Sequence, residues 1–306
     1  MSDAPVELRL WRQFVAVAEE LHFGRAAARL HMTQPPLTQA IAALEGLLQV
    51  RLFDRTKRSV QLTPAGAALL PEARDLLARA QALPAHARAA AAGEVGRLRL
   101  GFVSTVGFAL LPQWVRGFRE QYPRVQLELI EATGDVQLQA LQRGEIDAGF
   151  MLHSPAFAPA GLQRLRVAQE PLVLALSDPH PLAADAAPAL ARVLAEPLVI
   201  FPRRIVPSLY DAIFGLYHAA GCSPQVAQEA IQMQTIVNLV SAGLGVAWVP
   251  DSVRQFQRPG VAYRSVAGTR ARPVPVCETS LVWPAGASSP SLACFVKFVQ
   301  AQYAAC

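Results

Sequence analysis

The stretch that most constrains this chain is Phe23 to Leu48, FGRAAARLHMTQPPLTQAIAALEGLL. It reads as two short helices around a tight turn. Arg25 to Leu30 is Ala-rich and helical, His31 and Met32 make the corner, and Thr33 stands where a helix N-cap belongs. Pro35 and Pro36 follow at once, tolerated because first-turn N–H groups have no intrahelical acceptor. Leu37, Ile41, Leu44 and Leu48 then recur at helical steps, so one apolar face points inward. Gln34, Thr38, Gln39 and Ala42 lie off that face. This outward set is short and uncharged, and it suits the floor of a DNA major groove. A plain helical hairpin with a solvated polar face is the alternative, and the flanking segments bear on the choice.

Upstream, Leu8 to Leu21 carries Leu10, Trp11, Phe14, Val17 and Leu21 at three- and four-residue steps, a third helix to pack behind the pair. Downstream, Arg51 to Phe53 and Val60 to Leu62 read as two short strands around the polar turn Asp54 to Ser59. A basic hairpin directly after such a helix pair is a wing. Its Arg55, Lys57 and Arg58 can neutralise phosphates or enter a narrow minor groove, although a solvated basic turn has the same composition.

Thr63 and Pro64 open a long helix to about Ala92, cap then proline at the first position. Leu69, Ala73, Leu76, Ala80, Leu83 and Ala87 alternate four- and three-residue steps, a heptad seam that asks for a second copy of itself or for its own domain. Pro71 and Pro84 predict kinks or breaks in it. Gly93 and Gly96 flank Glu94 and Val95 as a hinge. Beyond Arg97, strands and helices alternate. Leu98–Val103, Val125–Ile130 and Ala148–Met151 are strands with helices between them, the order of a parallel sheet with a crevice at its carboxyl edge. A second set follows: strands at Leu172–Leu174, Leu198–Phe201, Gly245–Val249 and Val274–Val282, helices at Ser208–Ala220 and Thr235–Ala242, and a closing helix at Leu292–Tyr303. Two α/β lobes with a cleft between them is the natural arrangement.

Composition excludes several classes. With 306 residues, 52% hydrophobic and 17% charged, the chain is globular. It has no apolar run of membrane-spanning length and no basic-then-apolar leader, so a cytoplasmic location and no membrane partner are expected. Lys57 and Lys297 are the two lysines, so the net charge of +5 rests on arginine. Cys222, Cys277, Cys294 and Cys306 show no CxxC and no metal spacing, which predicts reduced thiols and neither metal nor cofactor. No GxSxG elbow, P-loop, GxGxxG or HExxH is present, and the six histidines are scattered, so an enzyme is not expected. A cytoplasmic solute-binding protein and a thiol-redox regulator, the latter needing Cys222 and Cys277 brought together by folding, stay as rivals.

FVAVAEELHFGRAAARLHMTQPPLTQAIAALE, LFDRTKRSVQLTPAG, GFREQYPRVQLELIEATG, LQRGEIDAGF and VSAGLGVAWVP together resemble the LysR-type transcriptional regulators. TQPPLTQAI and Phe201 to Arg204 are most similar to the branch of aromatic and chloroaromatic degradation, which includes muconate-responsive activators. The resemblance implies an α + α/β fold class: a winged helix-turn-helix (1–63), a linker and dimerisation helix (64–92), and a two-lobed effector domain like periplasmic binding proteins (93–306). Lobe I takes about 97–167 and 270–306, and lobe II about 168–269. It implies a homo-oligomer, a dimer of dimers, on an interrupted palindrome of double-stranded DNA, with RNA polymerase as a further partner. Gly24 stands in place of the family's Ser/Thr cap on the second helix.

The residues expected at DNA are Gln34, Pro35, Pro36, Thr38 and Gln39 in the groove, with Arg29, Thr33, Arg55, Lys57 and Arg58 around it. For a small organic-acid effector, a carboxylate, Ser104 and Thr105 begin a helix after a strand and Thr133 follows the next strand in the same way. Phe201, Pro202, Arg203 and Arg204 add an aromatic wall and positive charge from the other lobe, and Gln234 and Thr235 open a helix toward the same cleft. Each of these taken singly reads equally as a plain N-cap or a surface arginine.

Overall fold

The computed structural model describes residues 6–56, 59–108, 110–155, 157, 161–268, 273–287 and 289–304. Lys57 and Arg58 lie outside the described residues. The chain forms two compact units, Met1–Arg88 and Ala89–Cys306. No helix among the described residues is long and apolar enough to cross a membrane.

In the first unit, α1 (Leu8–Glu20), α2 (Phe23–Arg29) and α3 (Gln34–Leu48) precede a two-stranded antiparallel ribbon of β1 (Phe53–Arg55) and β2 (Val60–Leu62). The first strand starts two residues later than the apolar pattern suggests, because Leu52 is spent on the core, at 0% exposure. Phe14, Val17, Ala26, Leu37, Ile41 and Leu44 fill that core. Burying each large side chain stabilises the unit by about 1.5–3 kcal/mol. The corner between α2 and α3 is left-handed at His31, with φ 52°.

Two capping expectations need correction. Thr33 does hold the N-cap position of α3, but its side chain makes no cap hydrogen bond. A cap accepts from the second or third helical N–H, and here both are prolines, Pro35 and Pro36. The cap of α2 is His22, not Gly24: its Nδ1 accepts from the Arg25 N–H at 3.2 Å. Gly24 is inside the helix, where a Cβ would come within 3.0 Å of that imidazole.

The long helix α4 (Pro64–Ala91) begins as expected. Thr63 Oγ1 accepts from Gly66 N at 3.0 Å and donates to Arg51 O at 2.8 Å. Gly66 is required, because a Cβ there would lie 2.2 Å from Leu52 O. Of the kinks or breaks expected at Pro71 and Pro84, no break occurs, and the helix runs through both. Both prolines are exposed and so is Ala67, whose carbonyl loses its partner to Pro71, so water can satisfy it. Leu69 and Ala73 pack on the three-helix core, whereas Leu76 is 42% and Leu83 66% exposed.

The second unit has two lobes. In lobe I, β3 (Gly96–Phe102), α5 (Ser104–Phe108), α6 (Leu110–Gln121), β4 (Val125–Glu131), α7 (Gly134–Gln142) and β5 (Ala148–His153) give the expected parallel order, with β3 between β4 and β5. The 16-residue β6 (Leu162–Ser177) then joins the lobes. Lobe II adds α8 (Leu190–Val193), β7 (Leu198–Ile200), α9 (Pro207–Ala219), β8 (Val226–Glu229), α10 (Met233–Ser241), β9 (Ala247–Pro250) and β10 (Val261–Arg264). The chain returns through β11 (Val276–Pro284) to α11 (Pro290–Ala304) in lobe I. Antiparallel pairing of β6 with β11 covers Leu162 to Pro171, and pairing with β9 and β10 covers Leu172 to Ser177. Phe118, Phe150 and Phe295 centre the core of lobe I, and Ile213, Tyr217 and Val237 that of lobe II.

The start of α11 packs closely on Gly93, in the segment expected as a hinge. A Cβ on Gly93 would meet Pro290 O at 2.3 Å, and Ser291 Oγ donates to Gly93 O at 3.3 Å. Helix α11 presses directly on this turn.

Candidate functional site

Two sites emerge, one on each unit. On the first, Gln34, Pro35, Pro36 and Gln39 are exposed along α3 and Thr38 is half-buried. The Thr38 hydroxyl donates to Gln34 O at 3.1 Å, so its proton is committed within the helix. Thr33 Oγ1, unused as a cap, is exposed beside them. A groove on this unit is lined by Gln34, Thr38, His22 and Gly24 on the helix side and by Arg55 and Ser59 on the ribbon side.

The arginines are more committed than their positions in the chain suggest. Arg55 pairs with Glu45 at 2.8 Å and lies 4.9 Å over the Phe23 ring. Arg29 meets Glu19 at 2.7 Å and Glu20 at 3.6 Å. Each keeps guanidinium N–H groups outside its ion pair, so a phosphate can be met alongside the carboxylate.

The second site is a slit between the lobes. Ser104 at the start of α5, Thr133 at the N-cap of α7 and Gln232 at the N-cap of α10 all line it, with Phe201 and Ile205 from lobe II. Helix N-termini present unpaired N–H groups and a positive dipole end, so three of them facing one space favour an anion. Ser104 is 8% and Thr105 6% exposed. Thr105 Oγ1 and Gln234 Oε1 are buried without a partner among the described residues. The slit holds about 40 Å³.

Several expected effector residues lie elsewhere. Arg203 turns outward and pairs with both oxygens of Asp211 at 2.7 Å, so the positive potential at the slit comes from helix ends. Pro202 is buried and Thr235 exposed, and neither lines the slit. Helix α10 opens two residues earlier than its apolar spacing suggests, with Gln232 as the cap, which moves Gln234 and Thr235 past the slit. The Thr133 hydroxyl donates to Asp135 Oδ1, so it offers lone pairs rather than a proton to a ligand. Gln232, Met233 and Ile236 were missed. A cap two residues before an apolar helical run was the available signal.

Among the described residues no disulfide joins the thiols, and Cys306 lies outside them. Cys222, Cys277 and Cys294 are free. Burial, with the nearby Glu170 carboxylate, pushes the Cys277 thiol far above its ordinary range, which removes the thiolate that exchange needs. Among the described residues no group of His, Cys, Asp and Glu is gathered for a metal.

Comparison with known proteins matches both units in order. Residues 8–67 match the bacterial regulatory helix-turn-helix protein model of the lysR family, and residues 91–304 match the LysR substrate binding domain. The chain is 44% identical over 295 residues to the HTH-type transcriptional regulator IlvR of Caulobacter vibrioides, covering 96% of this chain and 97% of that one. It is 37% identical to the regulator TfdS of Cupriavidus pinatubonensis, covering 90% and 92%. The crystal structure of full-length CbnR with its target DNA aligns with a TM-score of 0.81 at 32% identity, covering 97% of this chain and 100% of that one. With a winged helix-turn-helix in front, a two-lobed module behind, and relatives that align along nearly its whole length, the chain belongs to the LysR family of DNA-binding transcriptional regulators.

Proposed function

We propose that this regulator reads an interrupted palindrome with the outward face of α3 and is switched by a small organic carboxylate held in the slit between its lobes. The observation that carries the ligand class is the convergence of Ser104, Thr133 and Gln232, each at a helix start, on one buried space. Anionic oxygens would accept from backbone N–H groups there and from the Ser104 hydroxyl, while Phe201 and Ile205 cover an apolar body. An aromatic or dicarboxylic acid fits these demands.

On DNA, Gln34 and Gln39 have the bidentate amide that suits adenine, and the Thr38 methyl and the proline rings suit thymine methyls. Lys57 and Arg58, between the two strands in sequence, supply phosphate contacts, and Thr33 offers a hydroxyl at the start of α3. The exposed Leu76 and Leu83 on α4 support a homodimer through that helix, and two such dimers would span the two half-sites.

A footprint on the DNA upstream of its own gene, with and without a panel of aromatic and dicarboxylic acids, tests the reading. The expected result is a protected, two-fold symmetric site whose extent changes with one acid, and loss of that change in Ser104→Ala. Thr38→Ala should relax sequence preference, whereas Lys57→Ala should weaken all sequences alike and lower the salt slope by about 1. A Ser104→Ala protein that keeps the full response removes the slit from the proposal.

A further inference from the structure

A second, larger cavity lies across a shared wall from the slit. It encloses about 660 Å³, within the usual span of about 300–1,000 Å³ for small-molecule sites, and the two have only Leu152, Ile205 and Val206 in common. Leu138 of α7 and Met151 of β5 extend its apolar surface on the lobe I side, and Ala212 of α9 on the lobe II side. Its unpaired charges divide by lobe.

From lobe I comes Asp135. Its carboxylate accepts from the Thr133 hydroxyl and has no cation within ion-pair distance among the described residues. From lobe II comes Arg204, which likewise has no carboxylate partner among the described residues. The other acid of the cavity, Asp211, is already matched on both oxygens by Arg203. One carboxylate and one guanidinium are thus left over, on opposite lobes.

Both line this cavity, and chain geometry brings their backbones close. A Cβ placed on Gly134 would lie 3.3 Å from Ile205 O, so the two lobes touch backbone to backbone at this point. Asp135 and Arg204 each stand one residue from that contact. A simple organic anion would satisfy Arg204 and be repelled by Asp135, and a simple amine would meet the reverse. A zwitterion satisfies both.

We propose that this cavity binds a neutral α-amino acid with an apolar side chain. Its ammonium meets Asp135, its carboxylate meets Arg204, and its side chain lies on Leu138, Met151 and Leu152. The slit is lined by helix N-termini and by no charged side chain, with Asp135 reaching it only through the Thr133 hydroxyl, so the paired charges that a zwitterion needs belong to the larger cavity.

The test is calorimetric titration of the full-length protein with L-leucine, L-valine, L-methionine and L-phenylalanine. Isocaproate and isopentylamine serve as controls, being leucine without its ammonium and without its carboxylate. At least one amino acid should saturate the protein, and for leucine each truncated analogue should bind at least tenfold more weakly. Asp135→Asn and Arg204→Gln should each weaken binding tenfold or more, while Ser104→Ala leaves it unchanged. The analogue pair on the wild-type protein decides the matter even if a variant folds poorly. No saturation by any of the four amino acids, isocaproate binding as tightly as leucine, or retention in both charge variants would overturn the proposal. Loss of amino-acid binding in Ser104→Ala alone would place the ligand in the slit and overturn it as well.

Discussion

Glu45 ties the ribbon to α3. Its Oε1 accepts from the Leu52 N–H at 2.9 Å and the Phe53 N–H at 3.1 Å, and its Oε2 from Arg55 at 2.8 Å. Replacing Glu45 by Ala leaves two backbone donors without partners where the chain enters the ribbon, at a cost of about 2 kcal/mol. Arg55→Ala leaves those bonds intact and removes a partly exposed ion pair and a cation–π contact, so its cost is about 1 kcal/mol. Urea unfolding of the two variants should rank them in that order, and equal losses would mean that the arginine, not the backbone pair, holds the ribbon. Such pairings were not legible in the chain. Arg55 reads as one more member of a basic turn, yet its partner lies ten residues back on another element. Arg203 likewise reads as ligand charge and is answered eight residues on. Residue type shows that a charge exists, while the fold decides which charges are left over, as they are at Asp135 and Arg204.

Elements with a strong period were legible, and those without one were not. The helices α1, α3 and α4 follow from apolar spacing, as do the parallel strands of lobe I. Strand β8 escaped because all four of its residues are exposed, and β6 appeared only as Leu172 to Leu174 because its first half alternates charge with apolar residues at an edge of the buried pattern. Helix α4 tests the proposed dimer. Leu76→Asp with Leu83→Asp removes no core contact within the monomer, since both are exposed, so the fold should stand while the dimer dissociates. Sedimentation at micromolar protein should show a monomer, and an unchanged dimer would move the interface off this helix. The junction of β3 and β5 gives a pH prediction. Burial pushes the Asp147 carboxyl up, but the side-chain and backbone hydrogen bonds from Arg99 outweigh it and hold the group below the usual range. Its contribution is therefore complete above the unfolded value of about 3.9 and is lost as pH falls through the lower folded value. Arg99→Met should shift the acid limb of the second unit's stability upward in pH, measured by urea midpoints across an acid series.

At the scale of the effector module, the lobes are held closed on an almost filled slit. Its 40 Å³ has room for a few waters, at about 10–15 Å³ each, and falls short of an organic acid. Binding of the proposed carboxylate therefore requires the lobes to part, and its apparent affinity is lowered by the scarcity of the parted state. One direct restraint is visible. Ser154, just after β5, donates its N–H to Ser208 Oγ at 3.1 Å and its hydroxyl to Ser208 O at 2.9 Å, so the start of α9 is latched to lobe I. Ser208→Ala deletes the first of these bonds and leaves the second, weakening the closed state by about 1 kcal/mol. If parting precedes binding, that change should raise apparent effector affinity about fivefold. The same shift should appear without ligand as promoter output moved toward its induced level. Dose–response of a promoter fusion, together with titration of the purified protein, separates the outcomes. A lower midpoint with altered basal output supports opening as the switch, while an unchanged midpoint would mean that the latch has no part in it. A raised midpoint would show that the ligand-bound state uses the latch, so that the effector works by tightening the lobes around itself.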